Sequence, residues 1–268
     1  MAFRQPGGTL APMSAVSDPA VVARLRVAGC VFAEEEAALL AEAAASPAEL
    51  DGLVARRVAG EPLEQVVGWA EFCGLRFAVE PGVFVPRQRT RLLVQEAAAR
   101  TAPGDVVVDL CCGVGAVGAA VAAAVGPVEL HAADVDPVAV RCARRNVHGT
   151  VHRGDLYGAL PGRLRGRVAV LVANAPYVPT EAIALMPPEA RDHEARAALD
   201  GGADGLDVQR RVVAGAPDWL APGGALLVET SREQADRTLG LCTAAGLAAR
   251  LVTDDDLAGT VVVAVREA

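Results

Sequence analysis

The chain has 268 residues, a net charge of −8 at pH 7 and a pI of about 5.1. It is long enough to bury a sizeable core, and no apolar run reaches the roughly 18 residues of a membrane-spanning helix. The acidic balance argues against nucleic acid as a direct substrate, and all 25 basic residues are arginine, which excludes chemistry that depends on lysine.

The N-terminal part predicts a helical domain at residues 14–68. Residues 1–13 have no apolar segment of the signal-peptide type, and we predict a flexible lead in which Met13 is an alternative start. In "DPAVVARLRVAG", Asp18 precedes apolar residues at helical spacing, and "SPAELDGLVARRVAG" begins a capping box at Ser46. Without a secretory signal we expect a cytoplasmic protein with reduced cysteines.

Residues 69–88 predict a β-hairpin that links this helical domain to the rest of the chain. In "EFCGLRFAVEPGVFVPR" two alternating apolar runs flank Pro81-Gly82, and a Pro-Gly pair is a turn signal. The sequence therefore places the hairpin turn at Pro81-Gly82, and the following "RQRTRLLVQEAAART" predicts a helix.

Strands and helices alternate over residues 89–268. The predicted strands are "DVVVDLCC", "VELHAADV", "VHRGDL", "VAVLVANAP", "GGALLVET" and "TVVVAVRE", and helical segments separate most of them. Such alternation predicts an α/β fold with a doubly wound, mostly parallel sheet and helices on both faces.

A strand enters a glycine turn at "VVVDLCCGVGAVGAAV", and the turn opens a helix. Gly113, Gly115 and Gly118 have the spacing of a nucleotide-binding turn, and Asp134 ends the next strand, where it can bind ribose hydroxyls. Asp109 precedes the turn; it would repel a pyrophosphate but suits a sulfonium or ammonium group. The pattern favours S-adenosylmethionine over NAD, and a tight turn without a ligand is the alternative.

Other polar residues near this turn have weaker signals. Asp155 in "HRGDLYG" ends a third strand and could accept from an adenine amine, although Gly-Asp is equally typical of a turn. Cys111 and Cys112 lie in the turn without a nearby histidine base, and we interpret them as small side chains in a tight space. The six cysteines show no C-x-x-C spacing and the four histidines are scattered, so we predict no metal site.

The stretch "VLVANAPYVPT" ends an apolar strand at Asn174, on the side of the sheet where ligands of open α/β folds bind. The Asn174 side-chain oxygen and the carbonyl of Ala175, which Pro176 keeps extended, can accept two N–H bonds from one planar NH2 group. This would aim a nitrogen lone pair at a methyl donor for in-line displacement, with Tyr177 packing as a wall. The alternative is a capping or turn role for Asn174.

Together these motifs resemble the HemK/PrmC-like protein glutamine N5-methyltransferases, over roughly residues 18–268. "GVFVPRQRTRLLV" is similar to the family segment I-P-R-P-x-T-E-x-L-V, "DLCCGVGAVG" to D-L-G-T-G-S-G-A-I-A, and "NAPYVP" to N-P-P-Y-I. "RRVAGEPLEQVVGWAEFCGLRF", "HEARAALDGGADGLD" and "LAPGGALLVETSREQ" resemble further segments. Asn-Pro-Pro-Tyr alone recurs in many N-methyltransferases, and the other segments make the resemblance specific.

The resemblance implies a seven-stranded Rossmann-like methyltransferase sheet, preceded by a helical domain that docks the substrate. It implies S-adenosylmethionine as cofactor, S-adenosylhomocysteine as product, and a protein glutamine as acceptor, in the family the Gly-Gly-Gln loop of a release factor. We expect a monomer. The implied acceptor-binding residues are Asn174, Ala175, Pro176 and Tyr177. The implied cofactor-binding residues are Asp109, Cys111, Cys112, Gly113, Val114, Gly115, Asp134, Val135, Asp155, Leu156 and Asn174.

The sequence departs from the family pattern at three places. Cys111-Cys112 replace Gly and Thr, Ala175 replaces the first proline of Asn-Pro-Pro-Tyr, and Arg89 and Arg91 replace two acids. The two charge reversals lie near the predicted mouth of the site. They leave three alternatives open. The chain could belong to a divergent, actinobacterial-type side branch that acts on another protein, it could act on a small-molecule amide or amine, or it could bind the cofactor without turnover.

Overall fold

A computed structural model of the protein describes residues 18–267. The predicted lead at residues 1–13, with Met13, lies outside the described residues. The chain divides into two compact units, the first ending at Val67 and the second beginning at Gly68. Within the described range, no helix is both long enough and apolar enough to cross a bilayer.

The first unit is helical, as the sequence predicts. Its helices are α1 (Pro19–Val27), α2 (Ala33–Ala43), α3 (Pro47–Val58) and α4 (Leu63–Val67). The Asp18 carboxylate accepts the Ala20 N–H at 2.9 Å and begins α1, and the Ser46 hydroxyl accepts the Glu49 N–H at 3.2 Å and begins α3. The Glu49 carboxylate binds the N–H of Ala45, one residue before the cap, at 2.7 Å. Both predicted caps therefore form.

The second unit opens with the antiparallel hairpin of β1 (Trp69–Phe72) and β2 (Leu75–Ala78). The hairpin is confirmed, but its predicted turn was wrong: the chain turns at Cys73-Gly74. Both turn residues have positive φ, 51° and 73°, as a two-residue turn of type I′ requires, and this turn matches the twist of paired strands. Pro81-Gly82 lies beyond the hairpin, where the Gly82 carbonyl accepts the Ala195 N–H at 2.9 Å.

A seven-stranded sheet forms the centre of the second unit. Its strands are β3 (Val106–Leu110), β4 (Glu129–Asp134), β5 (Thr150–Arg153), β6 (Val168–Ala173), β7 (Leu220–Glu229), β8 (Ala248–Asp254) and β9 (Gly259–Val265). The order is β5-β4-β3-β6-β7-β9-β8, and only β9 pairs antiparallel, with β7 and β8. The predicted fold class is confirmed.

Helices cover both faces of this sheet. They are α5 (Arg91–Ala98), α6 (Ala116–Val125) and α7 (Pro137–Asn146) on one face, and two helices of the C-terminal part on the other. Two short helices, α8 (Pro188–His193) and α9 (Arg196–Leu199), lie in the connection between β6 and β7, and α10 (Asp207–Trp219) and α11 (Ala235–Ala244) cover the second face. Alternate residues of one strand enter different cores, since Val107 packs with α5 to α7 and Val108 packs with α10 and α11. This two-sided burial explains the continuous apolar runs of the central strands.

The segment-by-segment prediction missed β8. None of its seven residues is buried, and it lies at the edge of the sheet. An edge strand without a buried face has neither a continuous apolar run nor a clear alternation, which is why the pattern gave no signal there.

Candidate active site

A cavity of about 440 Å³ lies at the carboxyl ends of β3, β4 and β6. Register pairs Leu110 with both Ala133 and Ala173, so the ends of these three strands lie side by side. The chain crosses over in opposite directions on the two sides of β3, and such a switch point is where open α/β sheets bind ligands. The cavity lining includes every predicted site residue except Gly115: Asp109, Cys111, Cys112, Gly113, Val114, Asp134, Val135, Asp155, Leu156, Asn174, Ala175, Pro176 and Tyr177.

Two glycines of the turn, Gly113 and Gly115, are needed for different structural reasons. Gly113 lines the cavity with φ 55°, and no protein atom lies within 4 Å of the position that a Cβ would take there. At Gly115, with φ 80°, a Cβ would lie 2.4 Å from the Val147 side chain. Gly113 therefore keeps space open beside the cavity, while Gly115 lets the turn pack closely against the end of α7.

Asp109 is a buried acid beneath this turn, with 2% of its surface exposed. Its carboxylate accepts the N–H of Gly118, in the first turn of α6, at 2.8 Å. Burial raises the pKa of Asp109 to about 7, and the charge of Asp134 adds to the rise while the Gly118 hydrogen bond opposes it. A desolvated carboxylate of this kind favours a cationic ligand, because a nearby positive charge stabilises the ionised form.

Asp134 ends β4 with its carboxylate fixed by backbone groups. One oxygen accepts the Gly113 N–H and the other accepts the Asp136 N–H, both at 2.9 Å. Each carboxylate oxygen can accept a further hydrogen bond, so the pair is preorganised for two neighbouring hydroxyl groups. The adjacent Val135 is 57% exposed and gives the cavity an apolar surface of the kind that an adenine ring requires.

Asp155 and Leu156 complete this end of the cavity. Leu156 has a positive φ of 45°. The exposed Asp155 carboxylate pairs with Arg211 at 2.5 Å, and Arg211 also lines the cavity. The sequence did not predict this partner, which occupies one of the carboxylate oxygens proposed for an adenine amine.

The two cysteines of the turn are thiols and not nucleophiles. Burial is the largest cause that raises the pKa of Cys111 and Cys112, and the charges of Asp109 and Asp134 raise both further. A thiol needs a lowered pKa to react as a thiolate. Cys111 also has a positive φ of 56°, at the position where the family pattern has a glycine.

The Asn174–Tyr177 stretch contacts residues from distant parts of the chain. The Asn174 side-chain nitrogen donates to the Thr90 hydroxyl at 3.4 Å, so the amide oxygen is the atom left for other partners. The Tyr177 hydroxyl donates to Oε1 of Glu229 at 3.3 Å, and Arg89 Nε donates to the same oxygen at 3.4 Å. Burial is the main cause that raises the pKa of Tyr177, to about 12, so this phenol is a neutral donor.

Sequence reasoning assigned no role to three buried residues of this region. Thr90 and Glu229 contact the acceptor residues, and Gln234 Nε2 donates to the carbonyls of Tyr177 and Asp204, both at 3.0 Å. All three lie in segments that resemble the family, and this resemblance was the sequence signal that could have identified them. Of the two charge reversals, Arg89 lines the cavity, whereas Arg91 is exposed at the start of α5 and is not among the lining residues.

The comparisons with known proteins agree with this geometry. The sequence model of the methyltransferase small domain matches residues 74–202. A release factor glutamine methyltransferase from Geobacter sulfurreducens is 40% identical over 200 residues, which is 73% of this chain and 69% of the relative. A 4-amino-L-phenylalanine/4-methylamino-L-phenylalanine methyltransferase from Streptomyces pristinaespiralis is 38% identical over 205 residues, 72% of this chain and 69% of that protein.

Among solved structures, a methyltransferase from Pyrococcus furiosus has the same fold. The TM-score is 0.57 at 17% identity, covering 80% of this chain and 98% of that one.

Among the described residues, no group of three or more His, Cys, Asp or Glu side chains is arranged to hold a metal ion.

Proposed function

Since the chain belongs to the family of release factor glutamine methyltransferases, we propose that it methylates the side-chain amide nitrogen of a glutamine in a protein. The acceptor that the family resemblance favours is the glutamine of the Gly-Gly-Gln loop of a peptide chain release factor. The protein is an S-adenosylmethionine-dependent methyltransferase. Its cytoplasmic location and its monomeric state remain predictions.

The residues at the cofactor end suit S-adenosylmethionine. The chemistry supplied by the bound cofactor is a methyl group on a sulfonium centre, with S-adenosylhomocysteine as the product. The Asp109 carboxylate favours a cationic ligand by its charge, and the Asp134 carboxylate can accept from the ribose hydroxyls. The open space beside Gly113 leaves room for the ligand against the backbone of the turn.

The observation that carries the proposal is the orientation of the Asn174 amide. Its nitrogen faces Thr90, which leaves its oxygen, together with the Ala175 carbonyl, as acceptors for one NH2 group. An amide nitrogen is a weak nucleophile, and it becomes positive as it bonds to carbon. Two acceptors on its N–H groups stabilise that charge and aim the nitrogen, and one N–H proton leaves to water as the N–C bond forms.

The test is methyl transfer from labelled cofactor to a purified release factor, followed by peptide mapping. We expect an addition of about 14 Da on the glutamine of the Gly-Gly-Gln loop. A release factor with asparagine in place of that glutamine is the matched control and should stay unlabelled. Tight cofactor binding without label in either protein would contradict the proposal.

The helical unit offers an apolar surface for docking such a protein. Val27, Val31 and Phe32 are exposed, with Phe32 at 66%, and we assign contact with the substrate protein to them. Phe32 is the N-cap residue of α2, where serine is favoured, so Phe32→Ser should preserve the helix. It should raise the KM for a folded release factor and leave the KM for a short glutamine peptide unchanged. Equal KM changes for both substrates would contradict this role.

A small-molecule amine is the second candidate acceptor. It is favoured by the similarity to the methyltransferase that acts on 4-amino-L-phenylalanine, and the cavity lining contains an arginine, Arg89, that could bind the carboxylate of such an amino acid. Transfer to free aromatic amines in the same assay, with none to the release factor, would favour it over a protein glutamine.

A further inference from the structure

We propose that Arg89 binds a carboxylate of the methyl acceptor and so selects acceptors that carry an acid near the methylated nitrogen. The proposal rests on the function proposed above and concerns the substrate class of the same site. The methylated group itself is neutral, and the carboxylate is a separate group of the same acceptor.

Arg89 lies beside the residues that are proposed to hold the acceptor. It lines the cavity, and its guanidinium carbon lies 5.9 Å from the centre of the Tyr177 ring. The next residue in the chain is Thr90, whose hydroxyl accepts from the Asn174 side chain. Arg89 is therefore close to both ends of the Asn174–Tyr177 stretch.

Three arginines line the cavity, and they differ in how closely an acid of the protein binds them. Arg87 and Arg211 each form an ion pair with a carboxylate, at 2.6 and 2.5 Å, which are the distances of strong, charge-assisted hydrogen bonds. The contact from Arg89 to Glu229 is 3.4 Å long, beyond the roughly 3.2 Å that N–H···O bonds usually reach. Arg89 is therefore the arginine of the lining that is best able to bind a ligand.

Glu229 contacts only one edge of the Arg89 guanidinium group. The Glu229 side chain is 2% exposed, against 43% for Arg89, and the contact uses Arg89 Nε. Within the described part of the chain, no group accepts from the two terminal nitrogens, Nη1 and Nη2, in normal hydrogen-bond geometry. An arginine can bind both oxygens of a carboxylate through two parallel N–H groups. The buried acid and a carboxylate in the cavity can therefore bind different edges of one guanidinium group.

S-Adenosylmethionine also carries a carboxylate, on its methionine part. The contacts of Arg89, however, are with Glu229 and Tyr177, and both of these residues belong to the acceptor end. The position of Arg89 therefore favours a carboxylate of the acceptor, and the affinity of the protein for the cofactor product tests the other source.

The experiment measures the binding of matched probes by calorimetry, with S-adenosylhomocysteine present. The first pair is the peptide Gly-Gly-Gln with a free C-terminal carboxylate and the same peptide with a C-terminal amide. The second pair is para-aminophenylacetate and para-aminophenylacetamide, and the third is the C-terminal amides of Gly-Gly-Gln-Glu and Gly-Gly-Gln-Gln. We expect the acid of at least one pair to bind more tightly than its neutral partner by roughly 10-fold to 100-fold, the value of a hydrogen bond to a charged group. Equal affinity within all three pairs, or no binding of any acid, would overturn the proposal.

The variant that tests Arg89 must not leave a buried charge alone. Arg89→Met by itself would remove the counter-charge of Glu229, and an unpaired buried charge destabilises a fold. The double variant Arg89→Met with Glu229→Gln removes both charges and should bind the acid and the neutral partner alike. Arg91→Met is the matched control, because Arg91 is exposed two positions further along and is not among the lining residues. It should keep the wild-type preference, and a double variant that also keeps it would overturn the assignment to Arg89.

The same measurements identify the source of the carboxylate. A preference in the first or second pair places it on the molecule or residue that is methylated, and a preference only in the third pair places it on a neighbouring residue of a protein. A weaker affinity for S-adenosylhomocysteine in the double variant, with the acid preference intact, would assign Arg89 to the cofactor and overturn the proposal. None of these measurements needs methyl transfer. A wild-type protein that prefers the acids but labels no glutamine would therefore remove the proposed function and leave the role of Arg89 standing.

Discussion

The two ends of the cavity are held by different kinds of contact. At the cofactor end, backbone N–H groups bind carboxylates nearby in the chain: Gly118 to Asp109 over 9 positions and Gly113 to Asp134 over 21. At the acceptor end, side chains meet over long separations, 84 positions for Asn174 with Thr90 and 140 for Arg89 with Glu229. The contacts of the cofactor end therefore form within a local turn, whereas those of the acceptor end form only when the sheet is assembled.

Charge separates the two ends as well. Neither Asp109 nor Asp134 forms an ion pair within the described part of the chain, and burial raises the pKa of both. At the acceptor end, the buried Glu229 has Arg89 as its counter-charge. The first end is thus prepared for a cation and the second for a neutral amide, and changes at the two ends should have separable effects.

The largest expected effect is that of Asn174→Ala. Removal of one acceptor for the developing charge should lower kcat by about 10²-fold to 10³-fold, a much larger change than any in the Kd of the cofactor. Kinetics together with calorimetry of cofactor binding would check this. A change in Kd without a change in kcat would reverse the assignment of the two ends.

Asp134→Asn should have the opposite effect, on the Kd of the cofactor and not on kcat. Its NH2 group must face the N–H of Gly113 or of Asp136, and the site loses a charged acceptor for the ribose. A hydrogen bond to a charged group contributes about 1.5–3 kcal/mol, so we expect the cofactor Kd to rise roughly 10-fold to 100-fold. At saturating cofactor, kcat should stay near the wild-type value, and a Kd equal to that of the wild type would contradict the role of Asp134.

Gln234→Met tests the long-range support of the acceptor end. It leaves the carbonyls of Tyr177 and Asp204 without their donor, at a cost of about 1–3 kcal/mol in the free energy of unfolding. We expect kcat/KM for the glutamine substrate to fall with cofactor affinity unchanged. The control is Gln88→Met, at an exposed glutamine bonded to the Glu71 carbonyl, which should change neither; equal losses in both variants would refute the distinction.

The pH dependence of the cofactor end follows from Asp109. Its pKa is raised from 3.8 to about 7 in the folded protein, so the folded state binds the proton more tightly than the unfolded chain. Its contribution to the stability of the free protein is therefore present below pH 3.8 and is lost as pH rises through about 7. Cofactor affinity should rise over the same range, because the ionised acid favours the cation.

Asp109→Asn is the variant that checks this assignment. It should remove the pH dependence of the stability and that of the cofactor affinity. Chemical denaturation would measure the first across the pH range, and calorimetry the second. Curves that keep the wild-type pH dependence in Asp109→Asn would assign it to another group.

The smallest effect should come from the backbone at Cys111. A left-handed conformation costs a residue with a Cβ about 1–2 kcal/mol, and glycine gives back about 0.4–1 kcal/mol through its freer unfolded chain. Cys111→Gly should therefore be more stable than Cys111→Ala by about 0.5–1 kcal/mol. A lower melting temperature for Cys111→Gly than for Cys111→Ala would show that the left-handed backbone at position 111 is not strained.

The cofactor end was largely predictable from the sequence, and the acceptor end only in part. Asp109, Gly113 and Asp134 are related through one turn and the next strand, so their pattern and spacing suffice. Asn174 was found from its place after a strand, but the orientation of its amide involves Thr90, which lies 84 positions away in the chain. Contacts between residues so far apart leave no local periodicity and become visible only when β6 and β7 lie side by side.

The hairpin shows the same limit on a smaller scale. Pro81-Gly82 carries the stronger turn signal in the sequence, yet the strands pair around Cys73-Gly74. Which of two possible turns closes a hairpin depends on strand register, and register depends on what the strands pack against.

The most direct test of the account is the structure of the protein with S-adenosylhomocysteine and a Gly-Gly-Gln peptide. We expect the glutamine NH2 group to donate to Asn174 Oδ1 and to the Ala175 carbonyl, with the Asn174 nitrogen still bonded to the Thr90 hydroxyl. An Asn174 amide with its nitrogen toward the glutamine, or a glutamine bound away from Asn174, would contradict it.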